Sequence, residues 1–516
     1  MFVNSSRLVS AIVALMGLFF AAYLGFTVAT SSGNALGEVM KLSCFLIFVI
    51  ALVVPRGGIL LLLFMAFYLD SVKRLLILFD GTSMMDVTYV LAAAPLAVLG
   101  LLIGCIMRRL FQHRFLEFGE VMLSLGIGFL VIFNAAVEFR ASGFGVGALA
   151  VIANNAAYAS LGLVFRMIYS DTKPFHRLTA LMIALAVPVA IYGIWQSVFG
   201  LTTFEKNYLT SGLTTLVGLL DDAVVRPFST MNSGHAFSIT MASMFALSYG
   251  KLVFEGFSRS ALTAIYRSFV PMLFFVAAIM SLGRTSWFMM LFCVAAIHCF
   301  SSKSRTVLVY CGSIAVVVAM FFSSDFLLPR LASIEAALPS DSGFSQRAFT
   351  TGTFSDRLYS YRNNFENPDL RTAFGNPNLT SRASDVVSKD ETVHDALGQA
   401  LARFGIVGTL VFLLLGAYGA FFIHKHILRI SDARDRGLCV TCTSVMFGIL
   451  VSGLFSGTNL AVFPLNFFFW TMGAITLTTI HLNGLAARSR PGGTPLRVSQ
   501  PTPLAAGGLA RMRPHA

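Results

Sequence analysis

The side chains best placed for acid–base or anion chemistry in this sequence are one histidine and a set of arginines. His394 closes Glu391-Thr392-Val393-His394-Asp395, just before an amphipathic stretch running into Arg403-Phe404-Gly405. An imidazole titrates near neutral pH and can act there as a general base. Without chemistry, it is a polar residue at a helix N-terminus. Arg226 precedes Pro227-Phe228-Ser229-Thr230-Met231-Asn232. Arg284 lies in Ser281-Leu282-Gly283-Arg284-Thr285-Ser286-Trp287, at the turn of an apolar hairpin. Arg347, Arg357, Arg362, Arg371 and Arg382 are spread through one long polar stretch. A guanidinium matches phosphate oxygens bidentately. The same arginines can instead pair with Asp341, Asp356, Glu366 or Asp385 on a solvated surface.

Metal chemistry has little to stand on. Asp221 and Asp222 are adjacent carboxylates, but hard cations gather more oxygen ligands than two such neighbours offer. No metal and no cofactor is expected. Asp70, Lys73 and Arg74 fall at helical i, i+3, i+4 spacing and can satisfy one another. Charges inside a membrane span are functional candidates, although a frayed or interfacial helix end would explain these equally well. All seven cysteines lie in or beside apolar runs, so no disulfide framework is implied. Cys439 and Cys442 form a C-x-x-C at the start of a span, which reads as small-residue helix packing.

The elements that must position these groups are membrane helices. The chain has 516 residues, 56% hydrophobic and 12% charged, with a mean hydropathy of +0.78. Soluble chains carry about 25% charged residues. Apolar runs of about 20 residues, the span of a bilayer core, recur at 8–30, 36–54, 58–79, 87–107, 118–138, 145–168, 178–200, 234–254, 268–282, 285–301, 305–322, 403–424, 438–457 and 461–482. The expected fold is therefore all-α, a polytopic membrane protein of about 14 transmembrane helices. Basic clusters follow the fourth, sixth, eighth, tenth and twelfth runs and the last one. They share one side when both termini are cytoplasmic, as the positive-inside rule requires. The formal charge of +13 is read as this topology, with no nucleic acid as a partner.

Four regions result: a membrane bundle over 1–322 with an outer loop at 201–233, a large outer loop at 323–402, C-terminal helices at 403–482, and a disordered cytoplasmic tail at 483–516. Loops as long as the second are uncommon unless functional, and a short helix around Ser355–Asn364 could lie on the membrane surface. Of the nine histidines only His235 and His394 face outward. An outward basic cavity at the membrane surface suits a lipid-linked diphosphate.

Five segments, in order over roughly 180–420, resemble the O-antigen ligase and polymerase superfamily. Ile191-Tyr192-Gly193-Ile194-Trp195-Gln196 resembles its Y-G-x-x-Q signature, and Arg226-Pro-Phe-Ser-Thr-Met-Asn its R-x-x-G-T-x-x-N segment. Ser281-Leu-Gly-Arg-Thr-Ser is similar to its S-R-G/S hairpin turn, with Leu-Gly intervening. Arg357 with Tyr361 and then Phe374-Gly375-Asn376 resembles R-x-x-x-W…G-x-G, with aromatic and glycine departures. His394-Asp-Ala-Leu-Gly…Arg403-Phe-Gly-Ile-Val-Gly408 is similar to H-N-x-x-L…G-x-x-G, with Asp in place of Asn.

That resemblance implies a GT-C-like, metal-independent, inverting glycosyltransferase in the bacterial inner membrane, with the large loop periplasmic. It would transfer a glycan from undecaprenyl diphosphate to the hydroxyl of an acceptor glycan or glycolipid, as a surface-polysaccharide polymerase or ligase. His394 would activate the acceptor, Arg226 and Arg357 would hold the diphosphate, and Arg284 would be a weaker third. Membrane lipids, a flippase and export or chain-length proteins are the further partners implied. The competing expectations are a lipid-linked-oligosaccharide flippase or polysaccharide transporter, and a non-catalytic subunit of an export complex.

Overall fold

Helix boundaries follow local signals in the chain. Pro55 opens one helix at the position where a missing N–H costs nothing. Gly200 and Gly256 close two others at φ 82° and 69°, the left-handed region that glycine adopts without strain. The structure, a computed structural model, describes residues 35–76, 84–112, 116–142, 152, 157–211, 226–256, 261–300, 372–375, 396–456, 460 and 462–488. Among these residues 87% are helical and none is in a strand.

In chain order the helices are α1 (Ala35–Val53), α2 (Pro55–Leu76), α3 (Met84–Phe111), α4 (Phe118–Ser142), α5 (Leu161–Ile168, preceded by a 3-10 turn at Tyr158–Ser160) and α6 (Lys173–Phe199). They continue with α7 (Thr203–Thr210), α8 (Gly234–Glu255), α9 (Ala261–Met280), α10 (Arg284–Cys299), α11 (Ala396–Ile427), α12 (Ala433–Ser456) and α13 (Leu465–Arg488). Among the described residues seven stretches are long and apolar enough to cross a bilayer, in α3, α4, α6, α8, α11, α12 and α13, and three shorter apolar helices accompany them. The protein is a multi-pass membrane protein. The expected runs at 8–30 and 305–322 lie outside the described residues, as do Arg357, His394, the helix expected around Ser355–Asn364 and most of the 323–402 loop.

Two departures from the expected boundaries matter. The run expected to begin at 403 starts at Ala396, so the end of the large loop is already helical. The loop expected at 201–233 contains α7, whose Thr202 and Glu205 form a reciprocal capping box.

Helices α8 and α12 form the centre: 67% and 78% of their apolar windows are buried. In helices α4 and α11 the buried share falls to 6% and 17%, as on helices with a lipid-facing side. Small residues set the closest approaches, which is how helices associate where water supplies no driving force. A β-carbon at Gly104 of α3 would lie 2.2 Å from the Leu52 carbonyl of α1. Cys439 and Cys442 are buried and unoxidised within α12, as helix packing predicts.

The helix ends sort by charge. At one end Arg109 reaches Glu120 (2.9 Å), Arg166 reaches Glu117 (3.2 Å), His176 meets Asp435 (3.0 Å) and Arg267 meets Glu255 (3.1 Å). We call this the basic end. The opposite end carries the α2 C-terminus, the α6 C-terminus, α7, the 226–233 segment and the α9–α10 turn.

Candidate functional site

The last two turns of α2 bring Asp70, Lys73 and Arg74 into the protein at the end away from the basic one, and all three are buried. Helix α2 runs unbroken to Leu76, so the fraying explanation for these charges falls away. Lys73 pairs with Asp70 at 3.0 Å. Arg74, 2% exposed, turns elsewhere: its two terminal nitrogens donate to the backbone carbonyls of Ser229 and Met231. Its guanidinium stacks 4.3 Å from the Phe228 ring and 5.7 Å from that of Tyr208. A charge from α2 thus grips the backbone of the Arg226–Asn232 segment.

From the other side the same segment is held by α6. The Oε1 of Gln196 accepts the backbone N–H groups of Phe228 (3.1 Å) and Ser229 (2.6 Å). Its amide nitrogen donates to Glu205 on α7. The buried Glu205 carboxylate also takes the Tyr192 hydroxyl (2.7 Å) and the N–H and hydroxyl of Thr202 (2.9 and 3.0 Å). Two further bonds fix the turn. The Ser229 hydroxyl donates to the Val189 carbonyl (2.7 Å) and that of Thr230 to the Phe67 carbonyl (2.6 Å). Ser229 sits at φ 49°, a conformation that non-glycine residues adopt at a cost and keep only when their surroundings over-determine it.

Gly193 completes this arrangement. A β-carbon there would lie 2.1 Å from the Phe237 ring of α8, so glycine is what lets α6 and α8 approach with Gln196 facing the segment. The Tyr192–Gln196 and Arg226–Asn232 motifs, 30 residues apart in sequence, therefore form one hydrogen-bonded unit. Lys73 and Arg74 against Asp70 and Glu205 make the buried cluster electrically balanced, which suits a scaffold better than an anion site. The exposed charge it presents is Arg226 itself, at the start of the segment, with no ion pair among the described residues.

The α9–α10 turn joins this region through α8. Gly283 packs so closely on Ser238 that a β-carbon would lie 2.7 Å from the Ser238 hydroxyl. The Gly283 N–H donates to Ser281 Oγ (3.3 Å) and Ser286 Oγ donates to the Gly283 carbonyl (2.6 Å). Arg284 begins α10 here. Across the first turns of α8, Gly234 abuts Arg226, with 3.5 Å between its notional β-carbon and that of the arginine. Arg226 and the turn that leads into Arg284 thus both pack on the first turns of α8, the helix that carries His235.

A second pair of motifs also meets. Helix α11 is broken at Gly405 (φ 69°), and the freed N–H groups of Ile406 and Val407 donate to the carbonyls of Thr372 and Ala373 (both 3.1 Å). Gly375 (φ 79°) and Gly405 pack backbone to backbone: a β-carbon on Gly405 would lie 2.3 Å from the Gly375 nitrogen. Arg140 of α4 donates to the Phe374 and Gly375 carbonyls at 2.7 and 3.2 Å, and Arg403 pairs with Glu138. The 372–375 segment of the large loop is thereby tied to the break in α11, eleven residues after His394 in sequence.

Comparison with known proteins adds nothing further. No family model matches this chain, and no curated protein matches it.

Arg226 and Arg284 are thus the two expected site residues placed by the fold, while His394 and Arg357 fall outside the described residues. Among the described residues no three of His, Cys, Asp or Glu gather as metal ligands. Sequence reasoning passed over Glu205 and treated Arg74 as part of a self-satisfied trio. The first carried a readable signal, the Thr202-x-x-Glu205 spacing of a capping box; the second did not.

Proposed function

We propose that this chain is a surface-polysaccharide polymerase or ligase. In this reading it is a metal-independent, inverting glycosyltransferase of the O-antigen ligase and polymerase superfamily. It carries about 14 spans in a bacterial inner membrane, with both termini and the basic end in the cytoplasm and the 323–402 loop in the periplasm. The observation that supports it most is the bond set from Gln196 to Phe228 and Ser229. Two segments singled out by resemblance alone bind each other, at the end where the chemistry would occur.

The donor is a glycan on undecaprenyl diphosphate, and the acceptor is a sugar hydroxyl of a second glycan or glycolipid. Arg226 and Arg357 bind the diphosphate, with Arg284 adding charge. His394 takes the hydroxyl proton as the acceptor oxygen attacks the anomeric carbon. The bond to the diphosphate breaks with inversion, and undecaprenyl diphosphate leaves with the electron pair. Diphosphate is already a good leaving group, so positive charge beside it and a base for the acceptor are sufficient. The reading as a transporter is weaker. Transporters place charges and broken helices at the membrane midplane, whereas Asp70, Lys73 and Arg74 occupy the last two turns of α2 and the α11 break lies near its start.

The test is transfer from a defined lipid-linked donor by purified protein. His394→Ala should slow turnover about a hundred- to ten-thousand-fold at unchanged protein level, and Arg226→Lys and Arg357→Lys should each impair it, because an ammonium cannot reproduce bidentate contact. Undiminished transfer by His394→Ala would remove the proposed base, and a strict requirement for a divalent ion would end the metal-independent mechanism. A lengthened lipid-linked product identifies a polymerase; transfer to a different glycolipid identifies a ligase.

A further inference from the structure

A further cavity lies at the opposite, basic end of the bundle. The α1–α2 junction, the α3 C-terminus, the α4 N-terminus, the end of α5 and the last turns of α13 enclose a cavity of about 550 Å³. Its charged lining is Arg56, Arg108, Arg109 and Arg166 against Glu117 and Glu120. Each carboxylate holds one arginine, Glu120 with Arg109 at 2.9 Å and Glu117 with Arg166 at 3.2 Å, and Glu117 also meets His481 at 3.4 Å. Arg108 donates to the neutral carbonyl of Val53, and Arg56 is exposed with no ion pair among the described residues. Four guanidiniums against two carboxylates leave an excess of two positive charges in this lining.

Part of the wall is apolar, from Met167, Ile168, Leu482 and Leu485, beside the polar Gln112, Ser170 and His481, and Leu485 is 43% exposed. The cavity opens where helices α3, α4 and α13 end, which is headgroup depth for a helix that crosses a bilayer. The volume falls within the range of ligand pockets, about 300–1,000 Å³. We infer that this cavity binds the phosphate of an anionic membrane phospholipid, with Arg56 and Arg108 meeting the phosphate and the Ile168–Leu485 wall covering the upper part of an acyl chain. Two uncompensated cations beside an apolar wall favour a phosphate that carries hydrocarbon over a freely soluble one, and basic pockets between helix ends hold anionic lipid headgroups in this way. This inference is independent of the glycosyltransferase reading, since its residues lie at the other end of the molecule.

Native mass spectrometry of the full chain, released from mixed phosphatidylglycerol and phosphatidylcholine, tests it. Wild-type protein should retain phosphatidylglycerol over phosphatidylcholine by about tenfold, and the double variant Arg56→Gln/Arg108→Gln should fall to near parity, as expected from losing two basic contacts near the surface. Arg56→Gln alone, an exposed change that leaves every described bond intact, should lower the preference about threefold and covers the case in which the double variant does not fold. Equal retention of the two lipids by wild type, or an unchanged preference in Arg56→Gln, overturns the proposal. Displacement of the lipid by inorganic phosphate at equal concentration overturns the lipid source and leaves a soluble phosphate as the ligand.

Discussion

Where Arg109 and Arg166 reach across helix ends to carboxylates, Arg74 at the far end of the bundle donates to two peptide carbonyls, and between the Arg166 pair and Arg74 the contrast follows burial. Glu117 has a half-exposed side chain, so water remains available to either partner if the pair opens. Arg74 has no such recourse, and neither do the carbonyls of Ser229 and Met231 that it satisfies. Charge at the basic end marks where helices stop. Charge at the other end gives one loop segment a fixed shape.

That comparison can be broken most forcefully at Arg74. Arg74→Ala should leave the buried carbonyls of Ser229 and Met231 without their donor and remove a cation from beside Glu205, a loss of about 3–5 kcal/mol in denaturant unfolding of the detergent-purified protein. A loss under about 1 kcal/mol would place Arg74 among the ordinary helix-end charges. Gln196→Leu comes next. It strands the Phe228 and Ser229 N–H groups and removes a donor from Glu205, for about 2–4 kcal/mol by the same measurement. Unchanged stability there would show that the two motifs do not depend on each other.

Gly405→Ala forces a side chain into the left-handed region and against the Gly375 backbone. It should cost about 2 kcal/mol and speed hydrogen exchange of the Ile406 and Val407 amides; unaltered exchange would mean that the break in α11 does not require glycine. The smallest effect is expected at the basic end. Glu117→Gln removes the partner of Arg166, and an exposed pair of this kind contributes about 0.5 kcal/mol or less, vanishing in high salt as screening takes over. A loss above about 2 kcal/mol would erase the distinction between the two ends.

Much of the helical layout was legible beforehand because hydropathy acts over about 20 residues and needs no partner. Apart from α7, the described helices overlap expected runs between 36–54 and 285–301 and from 403 onward, and glycines such as Gly200 and Gly256 end helices for purely local reasons. The basic clusters beside alternate runs likewise meet at one end of the bundle. The family resemblance also singled out Tyr192–Gln196, Arg226–Asn232, Phe374–Gly375 and Arg403–Gly408 as segments of interest.

What they do to one another was decided only by the tertiary structure. Arg74 and Ser229 are 155 residues apart and Arg140 and Phe374 are 234 apart, and nothing local links either pair. A buried arginine reads the same in sequence whether it answers a carboxylate one turn away or a carbonyl on a distant loop. The choice depends on which backbone groups packing has cut off from water, because in that setting an unbonded carbonyl is the costlier group to leave alone.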